Sequence, residues 1–217
     1  MNKFKTLDEV LELIQDGQTI MFGGFLAVGT PERIIDGIIK KGVKDITLIC
    51  NDTGFIDKGV GKLVVNKQVK KVIASHIGTN PETGRLMNTG EMEVELVPQG
   101  TLAERIRAAG AGLGGVLTPT GIGTIVAEGK QIIEIDGKEY LLEKPLKADI
   151  AILKGSIVDK KGNIWYNKTT RNFNPIIAMS ADTVIVEAEK VVEAGEIEPE
   201  NVMTPHIFVN YIVGRDE

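Results

Sequence analysis

The chain has 217 residues, with 25 Lys and Arg against 30 Asp and Glu, so its net charge is −5. Hydrophobic residues make up 42% and charged residues 25%, a balance that excludes intrinsic disorder. No apolar run reaches the roughly 18 residues of a membrane span, and few residues are aromatic or clustered bases. We therefore expect a single globular domain over residues 1–217, with no membrane and no nucleic acid as partner.

Cysteine usage and the first residues indicate the compartment. Cys50 is the one cysteine in the sequence, so it cannot form an internal disulfide, and its apolar surroundings predict a buried strand residue. The opening residues 1–5 lack the apolar segment of a signal peptide. Both features favour a reducing, cytoplasmic location.

The first part of the chain combines helix and strand signals. Thr6 and Glu9 have the spacing of a capping box, and apolar residues then repeat at helical spacing. Residues 19–22 form a short apolar run that predicts a buried strand. After a glycine pair, Thr30 and Pro31 predict the N-cap and first residue of a second helix.

This alternation continues to residue 109 and predicts a mostly parallel sheet covered by helices on both faces. Thr101 and Glu104 have the spacing of a second capping box. The predicted elements are strands at 45–50, 71–74 and 94–97, a turn at 80–84, and a helix at 101–109.

The pattern changes after Gly110, because six glycines fall between Gly110 and Gly123. Asp136-Gly137 then separates two strand-like runs and predicts a β-hairpin. Alternation returns with a strand at 150–153, a helix at 174–181 and a strand at 183–186. The charged residues 187–200 are expected to be solvated. The predicted fold is a three-layer α/β/α arrangement with a β-hairpin insert.

The loop after the first strand is the most informative segment for function. At the carboxyl end of a parallel strand, glycines allow backbone amides to approach an anion, and a helix N-terminus favours negative charge. A tight turn requires glycine in any case, so this observation alone leaves function open. The loop matches neither dinucleotide nor P-loop motifs. Its residues are Gly23, Gly24, Phe25, Leu26, Ala27, Val28 and Gly29.

Two neutral amides follow predicted strands and are candidates for stabilising a developing oxyanion. Asn51 and Gln99 are expected on the same edge of the sheet as the glycine loop. The alternative is that they only form a turn and cap a helix. The second glycine cluster, residues 110–123, is apolar and contains no Lys or Arg, which favours a role facing substrate or a partner over that of a flexible surface loop.

Catalytic groups are hard to find in the sequence. His76 and His206 are 130 residues apart with no nucleophile elbow to serve, and no His, Cys, Asp and Glu set has metal-ligand spacing. The glycine loops also lack Lys and Arg. These observations predict a ligand-binding loop without a catalytic nucleophile in this chain.

Several motifs together resemble the α subunits of family I (3-oxoacid) coenzyme A transferases, in particular the bacterial group acting on acetate, butyrate and acetoacetate. The resemblance covers essentially the whole chain. The segments that carry it are residues 16–31, 51–53, 75–84, 98–102, 112–115 and 171–175.

The resemblance implies that this chain works with a β subunit. In the family, a glutamate in a Ser-Glu-Asn-Gly motif of the β subunit is the nucleophile, and ping-pong chemistry runs through a glutamyl-CoA thioester. That motif is absent here, since the one Glu-Asn step, Glu200-Asn201, does not match it. Acyl-CoA and short-chain carboxylates would be substrates, with no permanently bound cofactor and no metal. An α2β2 or larger assembly is usual in the family.

The resemblance also suggests site residues and a fold. Residues 23–29 would be the CoA-binding loop, Asn51 and Gln99 would line the acyl pocket, and residues 112–120 would lie close to the carboxylate substrate. The family fold resembles that of ribose-phosphate isomerase. A phosphosugar-binding or isomerase domain of the same fold, or a non-catalytic assembly subunit, are the alternative functions.

Overall fold

A computed structural model of the protein describes residues 2–214. Within that range the helices are α1 (Leu7–Leu11), α2 (Glu32–Lys41), α3 (Gly61–Val65), α4 (Pro81–Thr89), α5 (Gln99–Gly110) and α6 (Asn174–Ile177). The strands are β1 (Thr19–Phe22), β2 (Ile46–Ile49), β3 (Val69–Ala74), β4 (Glu93–Leu96), β5 (Val116–Thr118), β6 (Ile132–Ile135), β7 (Lys138–Glu143), β8 (Ala148–Asp159), β9 (Ile164–Trp165), β10 (Ala181–Val192) and β11 (Tyr211–Val213). Short 3-10 turns lie at Ile125–Ala127, Lys168–Arg171, Pro199–Asn201 and His206–Phe208.

The main sheet has the strand order β11-β10-β8-β1-β2-β3-β4, and every neighbouring pair along it is parallel. The short strand β9 adds to β8 in the antiparallel direction. This confirms the predicted mostly parallel sheet. Since parallel strands all end at one edge, the loops after β8, β1, β2, β3 and β4 are neighbours in space.

Helices cover both faces of the main sheet, which confirms the three-layer α/β/α prediction. On one face, α1 to α4 pack on the sheet through buried residues such as Ile34, Ile38 and Leu63. On the other face, α5 and α6 pack through Leu102, Ile106 and Ile177. Ile34, Ile35 and Ile38 of α2 are fully buried and Ile39 is partly buried, because the isoleucines recur at helical spacing toward the sheet.

The predicted hairpin is present as part of a separate three-stranded sheet, β5-β7-β6. β6 and β7 pair in the antiparallel direction, and Ile135 is opposite Lys138. Asp136 and Gly137 both have positive φ, at 51° and 74°, as a two-residue primed turn requires. β5, inside the second glycine cluster, supplies a third strand that the sequence did not predict.

Several local predictions need correction. α2 has Pro31 rather than Thr30 at its N-cap, and the N-cap residue itself makes no side-chain cap hydrogen bond. Thr101 forms no capping box, because α5 already begins at Gln99 and the Thr101 hydroxyl is buried inside the helix's first turn.

The region predicted as a turn at residues 80–84 is instead the start of helix α4. Asn80 accepts a hydrogen bond from the Glu82 amide, and Pro81 occupies the first helical position. α3 was not predicted at all, and β8 and β10 are each 12 residues long, far beyond the predicted runs. The helix predicted at 174–181 is only the single turn of α6.

Candidate functional site

The carboxyl edge of the main sheet brings together the segments that the sequence singled out. The glycine loop follows β1, Asn51 follows β2, Ser75 follows β3 and Gln99 follows β4. Neighbouring strands lie about 4.8 Å apart, so these segments form one row along the edge. The 3-10 turn Lys168–Arg171 extends the row on the β8 side.

Residues 25–28 of the loop after β1 form a tight two-residue reversal. The Phe25 amide donates to the Val28 carbonyl at 3.0 Å, and the Val28 amide donates back at 2.9 Å. The central residues, Leu26 and Ala27, both have positive φ, at 46° and 65°. Left-handed backbone at a leucine and an alanine is strained, and strain of this kind concentrates at functional sites.

Two asparagines from the other end of the chain hold this loop in place. Asn172 accepts a hydrogen bond from the Gly24 amide at 3.1 Å and donates to the Val28 carbonyl at 2.9 Å. Asn174 donates to the Gly29 carbonyl at 3.0 Å and accepts from the Lys154 amide at 3.0 Å. Sequence reasoning placed both only in a family motif and did not identify this role.

The glycines of the loop are required by the side chains packed against it. A Cβ on Gly23 would lie 1.8 Å from Oδ1 of Asn174, and a Cβ on Gly24 would lie 2.2 Å from Oγ1 of Thr30. A Cβ on Gly29, whose φ is +72°, would lie 2.8 Å from the Thr170 carbonyl oxygen. Tight packing thus accounts for all three glycines without a bound anion.

A buried carboxylate holds the other side of the loop. Asp52, which is 5% exposed, accepts from the Leu26 amide at 3.0 Å, from Nδ2 of Asn51 at 2.7 Å and from the Gly54 amide at 2.8 Å. The amides of Gly24 and Leu26 are therefore engaged by side chains. Among residues 2–214, the Ala27 and Gly29 amides have no described acceptor.

Asn51 and Gln99 are both at the edge, but they differ in exposure. Asn51 is 2% exposed, with Nδ2 directed to Asp52 and with no described partner for Oδ1. Gln99 is exposed at the first position of α5. The structure thus makes Gln99 the amide that is open to a substrate, with Asn51 beneath the edge.

Ser75 links these two amide residues. Its hydroxyl lies within hydrogen-bond distance of the Asn51 carbonyl and of Oε1 of Gln99. It has one hydrogen to donate, and the Asn51 carbonyl already accepts from the Ser75 amide at 3.0 Å. Donation to Oε1 therefore satisfies both groups and turns Nε2 of Gln99, with its two N–H bonds, away from Ser75.

The second glycine cluster lies against the start of α5. Gly100, Thr101, Val116, Leu117 and Thr118 line a cleft of about 580 Å³. The segment expected close to the carboxylate substrate is thus next to the helical turn that begins with Gln99.

The glycine loops contain no Lys or Arg, but the fold brings two basic residues beside the first loop. The 3-10 turn Lys168–Arg171 lies beside the first loop, and Lys168 and Arg171 line a groove of about 620 Å³ with Phe25 and Val28. These cations come from a segment about 140 residues later in the sequence, so local composition could not show them.

The expectation that the charged residues 187–200 are solvated is wrong for Glu187. Its side chain is 1% exposed, accepts from the Ile34 amide in the first turn of α2 at 3.0 Å, and pairs with Nζ of Lys154 at 2.9 Å. A carboxylate at a helix N-terminus is stabilised by the helix dipole. Glu187 therefore fixes the start of the helix that the glycine loop enters.

Cys50 is buried as predicted, at 3% exposed. Burial, with a smaller contribution from the neighbouring Asp52 charge, raises the pKa of the Cys50 thiol well above its usual value. The thiolate is therefore disfavoured and Cys50 is not a nucleophile. Among residues 2–214, no group of three or more His, Cys, Asp or Glu side chains is placed to hold a metal ion. Over the same residues no helix is both long enough and apolar enough to cross a bilayer.

The class of protein follows from a family model described as coenzyme A transferase, which matches residues 4–215. The chain belongs to the coenzyme A transferase family, as an α subunit.

Individual relatives cover almost the whole chain. It is 54% identical to the acetate CoA-transferase subunit alpha of Escherichia coli K12 over 215 residues, which is 99% of this chain and 98% of that protein. It is 55% identical to the acetoacetyl-CoA:acetate/butyrate CoA transferase alpha subunit of Clostridium acetobutylicum over 212 residues, covering 98% and 97% of the two.

Solved structures agree on the fold. An acyl-CoA transferase from Escherichia coli O157:H7, solved as a thioester complex with CoA, matches with a TM-score of 0.86 at 23% identity. The match covers 99% of this chain but 47% of that one, so this chain spans about half its length. Glutaconate coenzyme A-transferase from Acidaminococcus fermentans matches with a TM-score of 0.83 at 19% identity, over 97% and 75% of the two chains.

Proposed function

We propose that this α subunit, together with a β subunit, moves CoA between short-chain acyl-CoA and a carboxylate, with acetoacetyl-, acetyl- and butyryl-CoA as donors. The observation that carries the proposal is the 54% and 55% identity, over nearly full length, to subunits named for acetate and for acetoacetyl-CoA with acetate or butyrate.

The nucleophile in this proposal is a glutamate of the β subunit in a Ser-Glu-Asn-Gly motif. Asp52 is the carboxylate of this chain beside the loop, and three hydrogen bonds and burial occupy it. A carboxylate held in this way is a structural acceptor rather than an attacking group. The division of labour between two subunits explains why the edge offers amides and glycines but no free nucleophile.

The reaction then runs as a double displacement. The partner's glutamate carboxylate attacks the thioester carbonyl, forming an acyl-glutamyl anhydride and releasing the CoA thiolate. The thiolate attacks the glutamyl carbonyl, which gives a glutamyl-CoA thioester and releases the carboxylate product. An acceptor carboxylate reverses these steps and leaves as the new acyl-CoA. No redox change occurs, and no resident cofactor or metal is required.

Gln99 is assigned to the oxyanion that forms at each carbonyl. Ser75 accounts for its orientation, because donation from the Ser75 hydroxyl to Oε1 leaves Nε2 free to donate. A neutral amide stabilises developing negative charge without titrating. Asn51 is assigned to the acyl pocket from beneath the edge, where its buried Oδ1 has no described partner.

Residues 23–29 are assigned to CoA binding, with residues 112–120 beside the carboxylate substrate. The amides of Ala27 and Gly29, which have no described acceptor, support contact between this loop and the cofactor moiety. An α2β2 or larger assembly in the cytoplasm completes the proposal.

Reconstitution with a β subunit that carries Ser-Glu-Asn-Gly tests the proposal. The mixed subunits are expected to convert acetoacetyl-CoA and butyrate into butyryl-CoA and acetoacetate, whereas each subunit alone is inactive. Failure of the assembled pair to change either compound would overturn the substrate assignment.

Variants of Gln99 and of Ser75 in the assembled pair test the role of Gln99 separately. Gln99→Leu removes the donor and is expected to lower kcat by roughly 100-fold, the usual effect of losing one oxyanion donor. Ser75→Ala is expected to have a smaller effect on kcat with little change in KM, and Ser75→Thr should restore it. A Gln99→Leu enzyme with normal kcat would exclude the oxyanion role.

A further inference from the structure

The groove beside the first glycine loop has two chemically different walls. Phe25 and Val28, which are 50% and 44% exposed, form an apolar wall. Lys168 and Arg171 bring two positive charges to the other wall, which Thr169 and Asn172 also line, although most of the groove's lining surface is apolar. The groove is open to solvent. A ligand with both an apolar and an anionic part would match its two walls.

The two cations are not neutralised by the described part of the chain. Over residues 2–214, Lys168 and Arg171 form no ion pair with a carboxylate, although both are exposed. An unneutralised pair of cations at a groove attracts an anion of matching charge. Arg is well suited to phosphate oxygens, and Lys supplies a compact positive charge.

The turn that carries the cations is held rigidly to the loop. Asn172 bonds to the Gly24 amide and the Val28 carbonyl, and Asn174 bonds to the carbonyls of Gly29 and Thr170. The two walls of the groove are therefore fixed relative to each other.

We propose that this groove binds the phosphate groups of CoA, with Lys168 and Arg171 as their ligands and with Phe25 and Val28 against the start of the pantetheine arm. This inference rests on the proposed function. The strand order supports it, because the groove lies above β8 and β1, whereas Gln99 follows β4. Four strand spacings separate β8 from β4, roughly 19 Å, so the nucleotide and the thioester lie at opposite ends of the edge.

Steady-state kinetics of the reconstituted αβ enzyme with two donors tests this proposal. The donors are acetoacetyl-CoA and acetoacetyl-pantetheine, which carries the same thioester but no phosphate. The variant is the double substitution Lys168→Ala with Arg171→Ala. The control is Lys40→Ala with Lys70→Ala, which removes the same charge from two exposed positions at the opposite edge of the sheet.

The groove variant is expected to raise KM for acetoacetyl-CoA by roughly 30-fold or more, because two charge-assisted hydrogen bonds are lost. KM for acetoacetyl-pantetheine and kcat for both donors should stay within about twofold. Added salt should raise KM for acetoacetyl-CoA in the control enzyme but hardly in the groove variant. The conservative pair Lys168→Arg with Arg171→Lys should lie between the two.

Three results would overturn the assignment. These are an unchanged KM for acetoacetyl-CoA, an equal rise for both donors, and an equal effect of the control substitutions. Titration calorimetry of CoA with the same assembled enzymes separates this inference from the proposed function. If the assembled enzyme had no transferase activity on either donor, the proposed substrates would be refuted. The CoA affinities of the groove variant and the control would still support or refute the groove.

Discussion

The two glycine-rich segments of this protein have similar composition but different physical reasons for their glycines. In residues 23–29, each glycine faces a side chain or backbone atom that leaves no room for a Cβ. In residues 110–123, Gly112, Gly114 and Gly123 have nothing within 4 Å of a Cβ position. The first segment is packed at every glycine. The second combines these open glycines with packed ones, because a Cβ on Gly110, Gly115 or Gly121 would lie 2.5–2.8 Å from a neighbouring atom.

Two different causes can require a glycine. A neighbouring atom can leave no room for a Cβ, or the backbone can need a positive φ. Gly23 does not need a left-handed φ and is required only because Asn174 occupies its side-chain space. Gly112 has the opposite property, with a φ of +69° and open space around it. Composition alone cannot distinguish the two, because the difference is made by residues distant in sequence.

The largest effect is expected from Gly23→Ala. The new methyl group would collide with Asn174, so either the loop or the asparagine must move. The free energy of unfolding should fall by about 3 kcal/mol or more, and transferase activity of the assembled enzyme should be lost. Urea unfolding measures the first effect. The matched control, Gly114→Ala, should change stability by no more than about 0.5 kcal/mol.

The same substitution in an Asn174→Ala background isolates the collision. Asn174→Ala alone is destabilising because buried backbone groups lose their partners. The double variant should be more stable than the sum of the two single effects predicts. Additive effects would show that Asn174 is not what excludes a side chain at Gly23.

Asp52→Asn should have the next largest effect, a loss of about 1–3 kcal/mol in unfolding free energy. The charge-assisted bonds from the Leu26 and Gly54 amides become ordinary ones, and the Asn51 amide faces a weaker acceptor. Hydrogen exchange should increase at Leu26 and not at Gly112. If the substitution changed hydrogen exchange equally at Leu26 and Gly112, Asp52 would not be what holds the first loop.

Relief of backbone strain should work in the opposite direction. Leu26→Asn with Ala27→Gly places residues that tolerate positive φ in the reversal and should stabilise the chain by about 1 kcal/mol. Thermal unfolding measures this change. The residues of the reversal after β2, Ile56 and Asp57, have ordinary φ values, so the same substitution there should not stabilise.

The smallest effect is expected from Gly112→Ala in the second segment. The new side chain meets no atom, but its left-handed φ costs about 1 kcal/mol. Urea unfolding measures this cost. A loss of stability as large as that of Gly23→Ala would erase the difference between the two segments.

Local patterns predicted the architecture well. The alternation of short apolar runs with amphipathic helices gave the parallel sheet, and Asp136-Gly137 gave the hairpin. The errors arose where one residue pattern is typical of two different structures. Asn80 and Pro81 are typical of turns, but they are equally typical of a helix N-cap and first residue, which is what they are.

The candidate site was predictable only in part. The glycine loop, Asn51 and Gln99 could be placed at one edge because each follows a strand. Asn172 and Asn174, about 150 residues later in the sequence, fix one side of the loop, and Glu187 fixes the helix after it. No local pattern predicts which distant residue fills a particular gap, so the buried ion pair of Glu187 with Lys154 was also missed.

The polar residues along the edge have one further property. Asn51, Ser75 and Gln99 lie 24 residues apart in sequence, one for each successive strand-and-helix unit. Each strand-and-helix unit therefore supplies one polar residue to the edge. A residue inserted into a connection that leads back to the start of a strand would be absorbed at the opposite edge. One inserted at the end of a strand would displace one amide or hydroxyl and break its hydrogen bonds to the next.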